Sequence, residues 1–126
     1  MSERKKILLA EDDDVQRELV RRALEREGYE VTAACDGLEA YDVAVRLRPD
    51  LIITDIYMPA ADGAHLLRRV RDTEELAQTP VLVMTGYGTG APTLALVQGA
   101  NAYEPKPVEP ESLLASVRRL LSGGES

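Results

Sequence analysis

The sequence is short of thiols, imidazoles, net positive charge and long apolar runs, and each shortage removes a class of protein. Cys35 is the only cysteine, so no internal disulfide can form and a cytoplasmic setting is the natural expectation. It stands at the end of an expected strand with no activating His or Lys nearby in sequence, which suits a small core residue better than a nucleophile. His65 is the only histidine; with no carboxylate or serine at a recognisable spacing, it is expected on the surface of a helix. The first apolar run, Ile7 to Ala10, stops at four acids and is too short for a signal peptide or a membrane span. A net charge of -7 and an isoelectric point near 4.7 leave no basic face for nucleic acid. Arg17, Arg21, Arg22 and Arg26 alternate with Glu18, Glu25 and Glu27, the pattern of a solvated helix face with internal ion pairs.

What is present alternates between short apolar runs and helical periodicity. Over 126 residues that pattern predicts one α/β domain, residues 1–126 with a core of about 6–121, and no output domain of its own. Strands are expected at about Lys6 to Ala10, Glu30 to Ala34, Leu51 to Thr54 and Val81 to Met84, with a short fifth strand running through Pro105 at an edge. Between them the spacing predicts helices at about Asp14 to Arg26, Gly37 to Arg48, Gly63 to Asp72 and, after a Gly-rich loop from Gly86 to Gly90, near Pro92 to Gln98. A final helix from about Glu109 to Leu121 closes the chain before Gly123-Gly124. The inward residues are expected to be Val15, Leu19 and Ala23 on the first helix and Leu38, Tyr41 and Val45 on the second. Leu66, Leu67 and Val70 do the same on the third, and Leu113, Val117 and Leu120 on the last. Gly28 is expected to close the first helix in the left-handed conformation.

A parallel sheet of this kind gathers the C-terminal ends of its strands on one edge, where open α/β folds place their ligands. The residues at those ends are Glu11-Asp12-Asp13-Asp14, Asp55, Thr85 and Lys106. Carboxylates held about 4 Å apart repel by roughly 1 to 4 kcal/mol per pair, which a hard cation relieves. An all-oxygen ligand set without Cys or clustered His selects Mg²⁺ or a similar ion such as Mn²⁺. Glu11, Asp12 and Asp55 meet that description, whereas Asp13 or Asp14 can instead cap the following helix. Asp55, on the most apolar strand, is the candidate nucleophile for an acyl phosphate. Lys106, Thr85 and the Gly86 N–H are donors of the type a phosphoryl group requires.

Four segments, Ile7 to Asp13, Thr54 to Pro59 with Asp62-Gly63, Val83 to Gly86, and Tyr103-Glu104-Pro105-Lys106-Pro107, resemble in order the receiver domain of bacterial two-component response regulators. The resemblance implies a flavodoxin-like doubly wound parallel sheet of five strands, order 2-1-3-4-5, with five helices. It implies that Asp55 accepts a phosphoryl group from a histidine kinase or histidine phosphotransfer protein. Glu11, Asp12, Asp55 and the backbone carbonyl of Tyr57 would hold Mg²⁺, Lys106 would contact the phosphoryl group, and Thr85 and Tyr103 would form the switch. A downstream protein or a second copy would then read the surface of the fourth helix, fifth strand and final helix. A cis Lys106-Pro107 bond is implied as well. The chain departs from the family pattern at Pro105, and its Thr85-to-Lys106 interval is one residue shorter than the commonest family spacing.

Some readings rest on this chain alone. No Asp, Glu, Lys or Arg occurs from Leu76 through Tyr103, so Leu94, Leu96 or Val97 is expected to offer an apolar contact to a partner. Tyr57 and Tyr87 stand where their bulk would shield an acyl phosphate and slow its hydrolysis. Two alternatives keep the fold and change the use: a docking module that takes no phosphate, and an Asp-nucleophile phosphatase. The second lacks another acid two positions after Asp55, where Tyr57 stands.

Overall fold

Apolar strands two faces deep need helices on both sides, and that requirement sets the architecture. The computed structural model describes residues 4–58, 62–86 and 99–122. Five strands, β1 (Lys6–Ala10), β2 (Glu30–Ala34), β3 (Leu51–Asp55), β4 (Val81–Thr85) and β5 (Ala102–Pro105), form one parallel sheet in the order β2-β1-β3-β4-β5. Every residue of β3 and β4 is buried, as central strands should be. The α-helices among the described residues are α1 (Asp14–Arg26), α2 (Gly37–Leu47), α3 (Gly63–Asp72) and α4 (Pro110–Leu121). The label α4 thus falls on the helix expected fifth from the sequence. The helix expected near Pro92 to Gln98, the apolar contact at Leu94, Leu96 or Val97, Tyr87, and the Gly123-Gly124 stop lie outside the described residues.

Alternate residues of each strand face opposite layers. Leu8, Ala10, Ile52, Val81 and Val83 pack with Ala40, Ala44, Leu66, Leu67 and Val70 on one side. Ile7, Leu9, Leu51, Ile53, Leu82 and Met84 pack with Val20, Leu24, Leu113, Val117 and Leu120 on the other. An aspartate starts each of the first three helices: Asp13, Asp36 and Asp62 accept from the N–H of Gln16, Glu39 and His65. Each carboxylate satisfies one orphan donor of its first turn and opposes the positive end of the helix dipole. Pro110 starts α4, where its missing N–H costs little. Gly28 does adopt the left-handed conformation, φ 93°.

Two inward stripes differ from expectation. On α1 the buried residues are Val20 and Leu24, while Val15 and Leu19 are exposed. On α2, Ala40 and Ala44 are buried, Tyr41 is half-buried, and Leu38 and Val45 are exposed. Both helices carry more apolar residues than one face can bury, and packing against the sheet selects the stripe one position away, about 100° round the helix. The small alanines of α2 admit close approach to the strands. Helix α2 also ends one residue early, because Arg48, just before Pro49, takes the left-handed cap conformation at φ 50°. Cys35 is exposed, correcting its expected core position; it lies beyond the end of β2, just before the Asp36 cap. His65 is exposed as expected. The solvated face of α1 carries the anticipated ion pairs, Arg21 with Glu18 and Glu25, and Arg22 with Glu18. Hydrogen bonds from Arg21 and Arg22 hold the Glu18 carboxyl down at about 2.

Candidate functional site

The parallel register puts the chemistry-bearing residues on one edge. Asp55 ends β3 beside Met84 of β4, Thr85 ends β4 beside Pro105 of β5, and Glu11 and Lys106 follow β1 and β5 directly. The main chain locks these ends together: Glu11 N–H donates to the Ala34 carbonyl at 3.0 Å, and Lys106 N–H to the Thr85 carbonyl at 2.7 Å. The Asp55 carbonyl accepts from Thr54 Oγ1 at 2.9 Å, and Gly63 N–H donates to the Ile56 carbonyl at 2.6 Å. The aspartate is therefore held by its own strand and by the start of α3.

Its side chain meets residues from both ends of the chain. Lys106 Nζ donates to Asp55 Oδ2 at 2.8 Å and lies 3.0 Å from Glu11 Oε1. Glu11 is fully buried and Asp55 nearly so, whereas Asp12 is exposed. Oxygens of Glu11, Asp12 and Asp55 all lie within 4.8 Å of one another. Burial pushes the Glu11 carboxyl up, and the Asp55 charge adds to this; the Asp13 N–H, donating to Oε2 at 3.1 Å, and Lys106 oppose it without cancelling it. For Lys106 the largest single influence is also burial, which favours the neutral amine. The hydrogen bond to Asp55 and the charges of both acids together outweigh it, so the ammonium is held above its ordinary range.

These donors suit a hard divalent ion. Glu11 Oε1 is buried without a directed hydrogen-bond donor, since Lys106 approaches it as a charge rather than along a hydrogen-bond axis. Burying that oxygen is costly, and the Lys106 ammonium, shared with Asp55, offsets only part of the cost. Asp12, on the solvent side, could offer a second carboxylate oxygen to such an ion. Thr85 is buried at the end of β4, and Tyr103 on edge strand β5 is 40% exposed. Tyr57, just past Asp55, has a largely exposed side chain. The Lys106-Pro107 bond is cis, as expected. A groove of about 310 Å³ between α1 and the turn after β5 is lined by residues including Leu19, Ala23, Pro107 and Val108, and by none of the acids.

Three residues here make contacts that the sequence does not announce. Gly63 touches the Asp55 backbone. Arg17, read only as part of a solvated face, donates from Nη1 to the Glu11 carbonyl at 2.9 Å. Glu104 is a buried acid whose carboxylate accepts from Ser112 at 3.0 Å and from Ser116 at 2.7 Å. The Ser112 and Ser116 spacing, one helical turn along α4 beside the buried Leu113 and Val117, was the available signal.

Fold and site together define a doubly wound α/β module with acids gathered at one edge of its sheet. A family model for the response regulator receiver domain matches residues 7–118, and the chain belongs to that family. It is 41% identical over 117 residues to the response regulator MprA of Mycobacterium leprae, covering 92% of this chain and 50% of that protein. The chain thus spans about half the length of the curated relatives it matches. A putative response regulator from Chloroflexus aurantiacus superposes with TM-score 0.90 at 34% identity, covering 95% of this chain and 99% of that one. The receiver domain of sensor histidine kinase PA1611 from Pseudomonas aeruginosa, with a magnesium ion coordinated in its active site cleft, matches with TM-score 0.88 at 30% identity, covering 95% and 99%.

Proposed function

We propose that the chain takes a phosphoryl group from a phosphohistidine onto Asp55 and switches a protein-binding surface in response. A carboxylate oxygen of Asp55 attacks phosphorus, the P–N bond to the donor imidazole breaks, and its electron pair returns to the imidazole nitrogen. The product is an aspartyl phosphate. Glu11, Asp12, Asp55 and the Tyr57 carbonyl would hold Mg²⁺ or Mn²⁺, which when bound neutralises charge on the phosphoryl oxygens. Lys106 is placed to follow the charge from the free carboxylate to the phosphoryl group. Thr85, at the end of the neighbouring strand, is the hydroxyl available to answer it, and Tyr103 on β5 the side chain that would respond.

The observation that carries this reading is the contact of Lys106 with Asp55 at 2.8 Å, in a cluster where Glu11 and Asp12 offer oxygens within 4.8 Å. Donor and target are proteins: a histidine kinase or histidine phosphotransfer protein, and a downstream partner or second copy at β5 and α4. Exposed Val15 and Leu19, with the groove that reaches Pro107 beside Lys106, offer the donor an apolar seat next to the acidic edge. Among the described residues no helix is long and apolar enough to cross a membrane, and a cytoplasmic place fits a kinase partner. The module acts on its own aspartate and turns over no external ester. Incubation with a small acyl phosphate and Mg²⁺, read by intact mass, tests this. One added phosphoryl group is expected, lost with chelator and in Asp55→Asn; an unchanged mass in the wild type would contradict the reading.

A further inference from the structure

Four consecutive acids follow β1, Glu11 to Asp14, yet only Glu11 and Asp12 join Asp55 in the ligand cluster. Asp13 is removed by capping α1 through Gln16 N–H at 2.9 Å. Asp14 is removed by Arg17, whose Nη2 donates to its Oδ1. The same guanidinium sends Nη1 to the Glu11 backbone carbonyl at 2.9 Å. One side chain therefore spans the loop and grips it at both ends.

We propose that Arg17 is a positioning residue for the divalent cation, fixing the Glu11-Asp12 pair and keeping Asp14 out of the site. The proposal rests on the metal reading given above. The Glu11 N–H is anchored to the Ala34 carbonyl and its side chain to Asp13 N–H; the carbonyl at the other end of the same residue is anchored by Arg17. With these points fixed, the peptide leading into Asp12 has little freedom, and Mg²⁺ demands near-ideal ligand placement. A planar fork holds its two donors in fixed directions, so one guanidinium sets both acceptors in place, a constraint that the freely rotating ammonium of a lysine does not impose.

A bare guanidinium beside a dication site would repel the ion. The ion pair with Asp14 balances the guanidinium charge, so that it grips the loop without opposing the cation. Freed from Arg17, Asp14 would be a further carboxylate next to a loosened loop. That combination favours Ca²⁺, which accepts more oxygen ligands in less regular geometry.

The test uses the charge-balanced pair Arg17→Ala with Asp14→Asn, so that the field at the site is nearly unchanged, alongside Arg17→Ala and Arg17→Lys. Mg²⁺ and Ca²⁺ affinities of the full chain are measured by calorimetry. The double variant is expected to lose about tenfold in Mg²⁺ affinity, the low end for residues that orient ligands. Arg17→Ala alone is expected to lower the Mg²⁺ to Ca²⁺ affinity ratio most, because it frees Asp14. Arg17→Lys, which keeps the charge and needs no repacking, is expected to fall between the double variant and wild type in Mg²⁺ affinity. Wild-type affinity and ion preference in all three would overturn the positioning role, and Glu11→Gln, expected to lose Mg²⁺ binding, separates the two failures. If Glu11→Gln loses Mg²⁺ while the Arg17 variants do not, only the Arg17 proposal falls; a wild type that binds no Mg²⁺ overturns both.

Discussion

Gly63 packs so closely on Asp55 that a Cβ at position 63 would lie 2.2 Å from the Asp55 carbonyl oxygen and 3.0 Å from the Ile56 Cα. Both obstacles are backbone, so neither can swing away as a side-chain tip would. Gly63 is needed here for room rather than for an unusual φ. Gly63→Ala is expected to cost about 1 to 3 kcal/mol of stability, as overpacking does, and to slow phosphoryl acceptance by displacing Asp55. Urea unfolding and intact-mass kinetics check both; an alanine variant as stable and as fast as wild type would show that the start of α3 does not hold the aspartate.

The raised pKa of Glu11 fixes how the metal response should vary with pH. A carboxyl whose folded pKa lies above its ordinary 4.5 contributes stability that is fully present below 4.5 and is lost as pH rises through the folded value. A Mg²⁺ ion held by Glu11 would compete with that proton. The Mg²⁺-induced rise in melting temperature should therefore be absent at pH 4, appear as Glu11 ionises, and level off above its folded pKa. At a hundredfold excess over the dissociation constant the gain corresponds to about 2.7 kcal/mol. Differential scanning fluorimetry across pH reads this directly, and a Mg²⁺ response already maximal at pH 4 would remove Glu11 from the ligand set.

Lys106 partly offsets the repulsion between Asp55 and Glu11. Removing it in Lys106→Met leaves two facing carboxylates and should destabilise the metal-free protein by about 1 to 3 kcal/mol, the cost of stranding a buried polar partner. Mg²⁺ should then raise the melting temperature by more than in wild type, since the ion takes over the neutralising charge, while phosphoryl acceptance falls. A smaller Mg²⁺ response than wild type would argue against a shared role for lysine and metal.

Glu104 presents a different balance. Its carboxylate, next to Tyr103 and Pro105 on β5, is 5% exposed and held by Ser112 and Ser116 of α4. Ser116→Ala removes one donor from a buried charge and should cost about 1 to 3 kcal/mol. Glu104→Leu removes the charge itself and should cost less, because an apolar replacement leaves nothing unpaired that matters as much. Chemical denaturation ranks the two; Glu104→Leu as the more damaging change would show that the hydrogen bonds contribute more than the burial costs.

The sheet, and the gathering of acids, Thr85 and Lys106 at one of its edges, were legible because they rest on local signals: unbroken apolar strands with those residues at their ends. The inward faces of α1 and α2 were not. Val15, Leu19 and Ala23 form as good a stripe as Val20 and Leu24, and only packing against the sheet decides between them. Cys35 misled because a strand-end position and a cap-side position differ by one residue. Gly63, Arg17 and Glu104 act through contacts made across elements, with the Asp55 carbonyl, the Glu11 carbonyl and two serines of α4, and no periodicity records such contacts.

The most direct test of the account is chemical mapping of the phosphorylated residue. After reaction with a small acyl phosphate and Mg²⁺, borohydride reduction converts an aspartyl phosphate to homoserine, which peptide mass spectrometry locates. The account predicts that the converted residue is Asp55, and that neither Asp12 nor Asp13 is converted. Conversion at either of the N-terminal acids, or at no aspartate in a folded, Mg²⁺-saturated protein, would contradict it.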